Sequence, residues 1–377
     1  MSGQAAADQA ADAVTVDTTP HASPTGIAPS EPILKMESLR KEFVKRSLTD
    51  RVLRLPGVRT RALDDVSLTV ARREALAIVG ESGSGKTTLA QVLVRLVTPD
   101  SGRIEFGGRD IVTASRGELS AMRRRIQLIY QDPFSSLNPS IKVGAAIIEP
   151  ALVHGLVDKD GQAARLQELM SQVGLGAGLA DRRPLALSGG QRQRVAIARS
   201  LAAEPEILIA DEAVSALDVS VQAQVIKLFA RLQSELGLTL IFISHQLATV
   251  AQLCERVAIM YRGRLVEVGP TAEVFSRPRH GYTAALIHAH PGRRRLRERS
   301  DVVATGIPPS LETPGCPFRH RCAFAAEICS VETPPLVQIG PDHMASCHIL
   351  PFNLDLAAGA GTAALGRSES APPAALG

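Results

Sequence analysis

The chain has 377 residues, 45% of them hydrophobic, and a formal net charge of +4. That length suits about two domains of ordinary size, and its longest apolar runs fall far short of the roughly 20 residues needed to cross a bilayer. Trp is absent and only three Tyr are present, so the basic clusters at Arg40 to Arg61 and at Arg293, Arg294, Arg295, Arg297 and Arg299 have no interleaved aromatics to stack on bases, and no nucleic-acid partner is expected.

Residues 1–31 and 351–377 are Ala, Gly, Ser and Pro segments without enough large apolar groups to offset the entropy of ordering, and are predicted disordered. The first thirty residues show neither a basic start nor an apolar run of signal-peptide type, so a cytosolic location is expected. Both basic clusters read as solvated segments, with anionic lipid headgroups or a protein partner as the alternative.

Ala75 to Val79 reads as a buried strand, followed at once by Gly80-Glu81-Ser82-Gly83-Ser84-Gly85-Lys86-Thr87 and a helix over Thr87 to Leu96 that begins with Thr87 and Thr88. This is the pattern G-x-x-x-x-G-K-[ST] in its required strand-to-helix setting. Its glycines let backbone N–H groups curl around phosphates, Lys86 neutralises phosphate oxygens, and the Thr87 hydroxyl is placed for Mg2+. Ile126 to Tyr130 is a second buried strand, and residues 141–186, rich in Ala, Leu and Gln, read as a helical insertion.

Leu187-Ser188-Gly189-Gly190-Gln191 opens a helix in which Val195, Ala198, Leu201 and Ala202 share a face. Serine and two glycines at a helix start make another anion-binding N-terminus. Ile207 to Ala210 is a third strand, ending in Asp211 and Glu212 at the edge where doubly wound sheets bind ligands. Acids at a strand end are commonly just solvated; following a phosphate loop, Asp211 suits the Mg2+ shell and Glu212 the general base for an attacking water. Thr239 to Ser244 is a fourth strand, leading into His245.

Taken together, these motifs resemble the ABC-type ATPases, whose signature is LSGGQ placed between the phosphate loop and the Asp-Glu strand. The resemblance implies an α/β P-loop NTPase: a RecA-like ABC ATPase core over 32–275 with a helical subdomain at about 113–186. A small Cys-containing extension would follow over 276–350. It further implies roles residue by residue. Gln131 looks like the lid glutamine that touches Mg2+ and the water. Ser215 to Asp218 resembles the loop that crosses the dimer interface, His245 matches the switch histidine at the γ-phosphate, and Phe43 is the choice for stacking on adenine. Two ATP molecules would then lie between the Lys86 loop of one core and the Ser188 signature of another.

The segments Tyr130 to Pro139 and Val214 to Gln224 resemble ATPases of oligopeptide and dipeptide importers, and Gln191 to Arg194 with the insertion Val44 to Thr60 resembles their F-type subunit. This implies a paralogous ATPase subunit as partner, giving a heterodimer. It also implies two transmembrane permease subunits, an extracytoplasmic substrate-binding protein, and a place on the cytoplasmic face of the membrane. Ala213, Gln246 and Leu185-Ala186 depart from the usual Pro, acid and His-Glu. Rival readings are a non-transport ABC ATPase, such as a subunit of the carbon-phosphorus lyase complex, and an ATP-binding regulatory module, against which intact Glu212 and His245 argue.

Cys316, Cys322, Cys329 and Cys347 fall close together in a chain whose fifth cysteine is Cys254. Clustering in a reducing compartment favours metal ligation over disulfides. The spacing lacks a paired C-x2-C and so points to a 4Fe-4S cluster ahead of zinc, which His320, His343 or His348 could help to bind; unligated thiols are the third possibility. Some members of the resembled family carry such a cluster in this region.

Overall fold

The computed structural model describes residues 32–45, 57–132, 137–289 and 314–349. The two terminal segments, the Arg293 to Arg299 cluster, much of the insertion after Val44 and residues 133–136 lie outside them. In chain order the strands are β1 (Pro32–Lys45), β2 (Val58–Ala71), β3 (Ala75–Val79), β4 (Ser101–Phe106), β5 (Arg109–Asp110), β6 (Ile126–Ile129), β7 (Ile207–Asp211), β8 (Thr239–Ser244), β9 (Arg256–Tyr261), β10 (Arg264–Pro270), β11 (Val337–Gly340) and β12 (His343–Ala345). The helices are α1 (Lys86–Leu93), α2 (Arg116–Arg125), α3 (Val143–Val153), α4 (Gln162–Gln172), α5 (Gly189–Leu201), α6 (Val219–Leu236), α7 (Leu247–Leu253), α8 (Thr271–Ser276), α9 (Gly281–His288) and the short α10 (Ile328–Val331).

The main sheet runs β11-β12-β10-β9-β3-β8-β7-β6. Its strands β9, β3, β8, β7 and β6 are parallel, and β10, β12 and β11 continue it antiparallel. Side chains alternate between two buried faces, which is why the parallel strands read as continuous apolar runs. Ala75, Ala77, Val79, Leu208, Ala210 and Phe242 face one core, roofed by the helices of the 143–253 stretch. Leu76, Ile78, Ile207, Ile209 and Ile243 face the other, closed by α1 and by an antiparallel sheet of order β2-β1-β4-β5.

The four strands expected from the sequence are present within a residue of their predicted ends, and the 141–186 stretch is helical through α3 and α4. The antiparallel sheet was not anticipated. In the Cys-containing extension, β12 pairs with β10 through Glu267↔Ala345 and Val268↔Met344, so the extension continues the ATPase sheet. Part of the first basic cluster is consumed in ion pairs, Lys41 with Asp100, Arg59 with Glu42 and Arg61 with Asp64. Among the described residues no helix is long and apolar enough to cross a membrane.

Candidate active site

Four parallel strands end side by side, and the residues immediately after them build one site. β3 leads into the loop Gly80 to Gly85, where Gly83 and Gly85 take φ of 78° and 104°, a region closed to most side chains. A Cβ at Gly80 would lie 2.2 Å from the Met260 carbonyl oxygen, and one at Gly85 the same distance from that of Ala62. At these two glycines the loop is thus pressed against β9 and β2 with no space for a side chain. Lys86, buried at the start of α1, donates to the carbonyls of Gly80 at 2.8 Å and Glu81 at 2.9 Å. Burial pushes its pKa down, while Glu212, Asp211 and Glu81 oppose that shift. The Ser84 hydroxyl is buried inside the loop and has no hydrogen-bond partner there.

β7 delivers Asp211 and Glu212. The Thr87 hydroxyl donates to Asp211 Oδ1 at 3.3 Å, and burial raises the Asp211 pKa, with the Glu212 charge adding to it against the Thr87 bond. A buried carboxylate paired with a hydroxyl is an oxygen donor set of the kind that holds Mg2+ through few protein ligands, so these residues fit the ion. Glu212 sits at φ 47°, a left-handed conformation costing about 1–2 kcal/mol for a residue with a Cβ. It is pinned there by its N–H donating to Ile243 of β8 at 3.0 Å. Its carboxylate meets three elements: Gln131 Nε2 donates at 3.1 Å, His245 Nδ1 lies at 3.5 Å and Lys86 Nζ at 3.9 Å.

The signature serine is the N-cap of α5. Ser188 Oγ accepts from the Gln191 N–H at 3.3 Å, and Gln191 Oε1 accepts from the Ser188 N–H at 3.0 Å, a reciprocal capping box. Gly190 abuts α6, where an added Cβ would meet Val221 Cγ1 at 2.4 Å. Asp218 caps α6 by position and is exposed, with no side-chain cap bond. Phe43 is half-exposed on β1 opposite Thr60, with Lys41 Nζ 5.5 Å from its ring centroid. Thr60 is two residues from Ala62, which touches Gly85, so Phe43 lies toward the phosphate-loop end of that sheet.

Two contacts to the loop were not foreseen, and nothing in local spacing announces them. The Glu81 N–H donates to the Tyr282 hydroxyl at 2.8 Å, and the Glu81 carboxylate accepts from both terminal nitrogens of Arg321, at 3.0 and 2.9 Å. Partners 201 and 240 residues away cannot be read from a motif.

The cysteine expectation meets a different outcome. All four clustered cysteines are free thiols, and Cys316 and Cys329 are buried, the Cys316 N–H donating to the Cys329 carbonyl at 2.8 Å. Burial pushes the Cys316 thiol up to about 11, with Cys329, Cys322 and Cys347 adding to the shift; burial likewise raises Cys322 and Cys347. Yet among the described residues no group of three or more His, Cys, Asp or Glu is placed to hold a metal ion. The geometry therefore supports neither the expected 4Fe-4S cluster nor zinc. His343 is committed to Glu267 and Glu273, and His348 to the Glu332 carbonyl.

A family model described as ABC transporter matches residues 63–215, and one described as oligopeptide/dipeptide transporter, C-terminal region, matches 266–329. A probable peptide ABC transporter ATP-binding protein of Sinorhizobium fredii is 46% identical over 322 residues, spanning 85% of this chain and 90% of the relative. A putative peptide import ATP-binding protein of Brucella ovis is 41% identical, over 84% of this chain and 97% of its own. Among solved structures, CbiO1 from Clostridium perfringens, part of the ABC transporter complex CbiONQ, is 32% identical with a TM-score of 0.55, over 65% of this chain and 90% of that one. The cassette MJ0796, solved as a dimer bound to ADP and Pi, is 26% identical with a TM-score of 0.56, over 63% and 98%. With the phosphate loop, the Asp-Glu strand end and the signature helix all in place, the chain belongs to the ATP-binding proteins of ABC transporters that carry the oligopeptide/dipeptide-transporter C-terminal region.

Proposed function

We propose that this chain hydrolyses ATP to drive an ABC importer of peptides, as the subunit that couples nucleotide turnover to membrane-spanning partners. The observation that carries the chemistry is the Glu212 carboxylate, met at once by Gln131, His245 and Lys86. The phosphates sit in the Gly80 to Thr88 loop, where Lys86 trades its two carbonyl partners for phosphate oxygens. Thr87, Asp211 and Gln131 would hold Mg2+, which would supply positive charge beside the γ-phosphate. Glu212 takes the proton of the attacking water, and Gln131 and His245 orient it. Glu212→Gln tests this: ATP binding persists while turnover falls about 10²-fold or more, and wild-type turnover in that variant would remove Glu212 from the role.

The signature residues Ser188 to Gln191 complete the site of a second cassette, with Asp218 crossing the same interface. What supports this is that Ser188 is exposed at the start of α5, where the capping box with Gln191 fixes the turn that presents the helix N-terminus outward. The dimeric state of MJ0796 accords with it. In this reading the partner cassette is a paralogue, and an extracytoplasmic binding protein delivers the peptide. A cavity of about 690 Å3 between β6 and α3, lined by Leu128, Tyr130, Glu149, Val153, His154 and Arg199, is the seat for a permease segment on the cytoplasmic face, one residue from Gln131. The peptide-import names of the relatives and the matched C-terminal region favour this over a lyase subunit. A 4Fe-4S cluster on Cys316, Cys322, Cys329 and Cys347 rests on cysteine chemistry alone. Iron and sulfide in anaerobically purified protein, lost in a Cys322→Ser/Cys329→Ser variant, would support it, and a metal-free preparation would remove it.

A further inference from the structure

Glu81 is the second residue of the phosphate loop, and it is held from four directions. Its carbonyl accepts from Lys86 Nζ at 2.9 Å and from the Ser84 N–H at 3.1 Å. Its N–H donates to Tyr282, and its carboxylate is gripped by Arg321 through two nitrogens. The first pair belongs to the loop itself; the second comes from the C-terminal region. Those two residues are themselves joined. Phe318 packs edge-on to Tyr282 at a centroid distance of 5.4 Å, and the Arg321 guanidinium lies 5.5 Å from the same Phe318 ring. The site of a Cβ on Gly281, which begins the helix bearing Tyr282, is 2.8 Å from Cys322 Sγ.

We infer that Tyr282 and Arg321 are positioning residues for the phosphate loop, so that the cysteine-bearing C-terminal region sets the affinity for ATP. The inference rests on the reading of residues 80–88 as the nucleotide site. The physical reason lies in what nucleotide does to Lys86. To meet phosphate oxygens its ammonium leaves the Gly80 and Glu81 carbonyls, and the loop loses two of its own ties when it must hold shape around the ligand. The Tyr282 hydroxyl and the bidentate Arg321 pair do not depend on Lys86 and persist through that exchange. A bidentate guanidinium–carboxylate pair fixes orientation as well as distance, and an acceptor for a loop N–H fixes the peptide plane. Together they keep the loop in its ligand-ready curl, which lowers the ordering cost of binding.

The test measures fluorescent-ATP binding and steady-state kinetics on the full chain. Arg321→Met, which keeps an apolar stem against Phe318, should weaken binding about tenfold and raise KM in parallel, with kcat within about twofold of wild type. Tyr282→Phe, which keeps the ring packing and removes only the acceptor, should weaken binding about fivefold. Arg321→Lys, which restores the positive charge opposite Glu81, should recover part of the affinity lost in Arg321→Met, and the loss should show in KM with kcat held, a split that a general loss of structure would not give. Should Arg321→Met fail to fold, Tyr282→Phe decides alone. Folded variants with wild-type ATP affinity would overturn the inference, whereas a wild-type chain that binds no ATP would overturn the nucleotide-site reading beneath it.

Discussion

His343 places Nε2 2.9 Å from Glu267 Oε1, with ring and carboxylate both buried, and turns Nδ1 toward Glu273 Oε1 at 3.2 Å. Glu267 also accepts from the N–H groups of Arg279 and His280, at 2.8 and 3.0 Å. This pair ties β12 to β10, and through it the C-terminal region to the ATPase sheet.

The tie makes stability depend on pH. Burial by itself lowers the His343 pKa, but hydrogen bonds and charges from Glu267 and Glu273 outweigh it and raise the value above 6.5. A raised histidine contributes its full stabilisation below the unfolded value and loses it as pH climbs through the folded one. Denaturant titrations should therefore show stability falling on the alkaline side of pH 6.5. His343→Ala should cost about 3 kcal/mol near neutrality, since it strands a buried carboxylate, and should flatten the pH dependence.

Glu212 holds a strained backbone conformation at the candidate site. Because its φ of 47° is strained for a residue with a Cβ, Glu212→Gly should stabilise the fold by about 1 kcal/mol while abolishing turnover. Calorimetry beside an ATPase assay checks both halves, and a lower melting temperature would count against the strain.

Gly190 is required by its neighbour. Gly190→Ala drives a Cβ into Val221, a β-branched residue with little rotamer freedom, and should cost about 1–3 kcal/mol. Adding Val221→Ala should return most of it, as a double-mutant cycle would show.

The proposed sharing of the signature between two cassettes has its own test. Ser188→Arg should leave ATP binding to the single chain near wild type but eliminate turnover in any cassette pair that relies on that signature. Specific activity of the wild type should rise with protein concentration; a concentration-independent rate with Ser188→Arg fully active would exclude the shared site.

Much of the candidate site was legible at strand ends: the Gly80 to Lys86 loop and the Asp211-Glu212 pair each follow a continuous apolar run, and such runs are what a buried parallel strand imposes. Gln131 and His245 also follow such strands, but only the resemblance to ABC-type ATPases singled them out. β1 and β2 escaped because their alternation is broken by bulges near Leu39 and Lys41. The short β11–β12 hairpin gave no periodic signal to find. Tyr282 and Arg321 stayed hidden for a different reason: their contacts with Glu81 exist only once the chain has folded back on its own sheet. The cysteines drew attention by type and spacing, but type does not set geometry, and the buried thiols stand without a metal-ready arrangement.

The pairing of β12 with β10 also sets a timetable for biosynthesis. While a ribosome is still making residues beyond 275, every strand from β1 to β10 is available to fold, yet β10 must wait as an open edge until residues 343–345 emerge. An unpaired edge on a nearly finished sheet is a template for pairing with another chain. Nascent chains stalled in that interval are the ones that chaperones would have to shield, and stop codons introduced between residues 276 and 336 should yield insoluble rather than merely inactive protein.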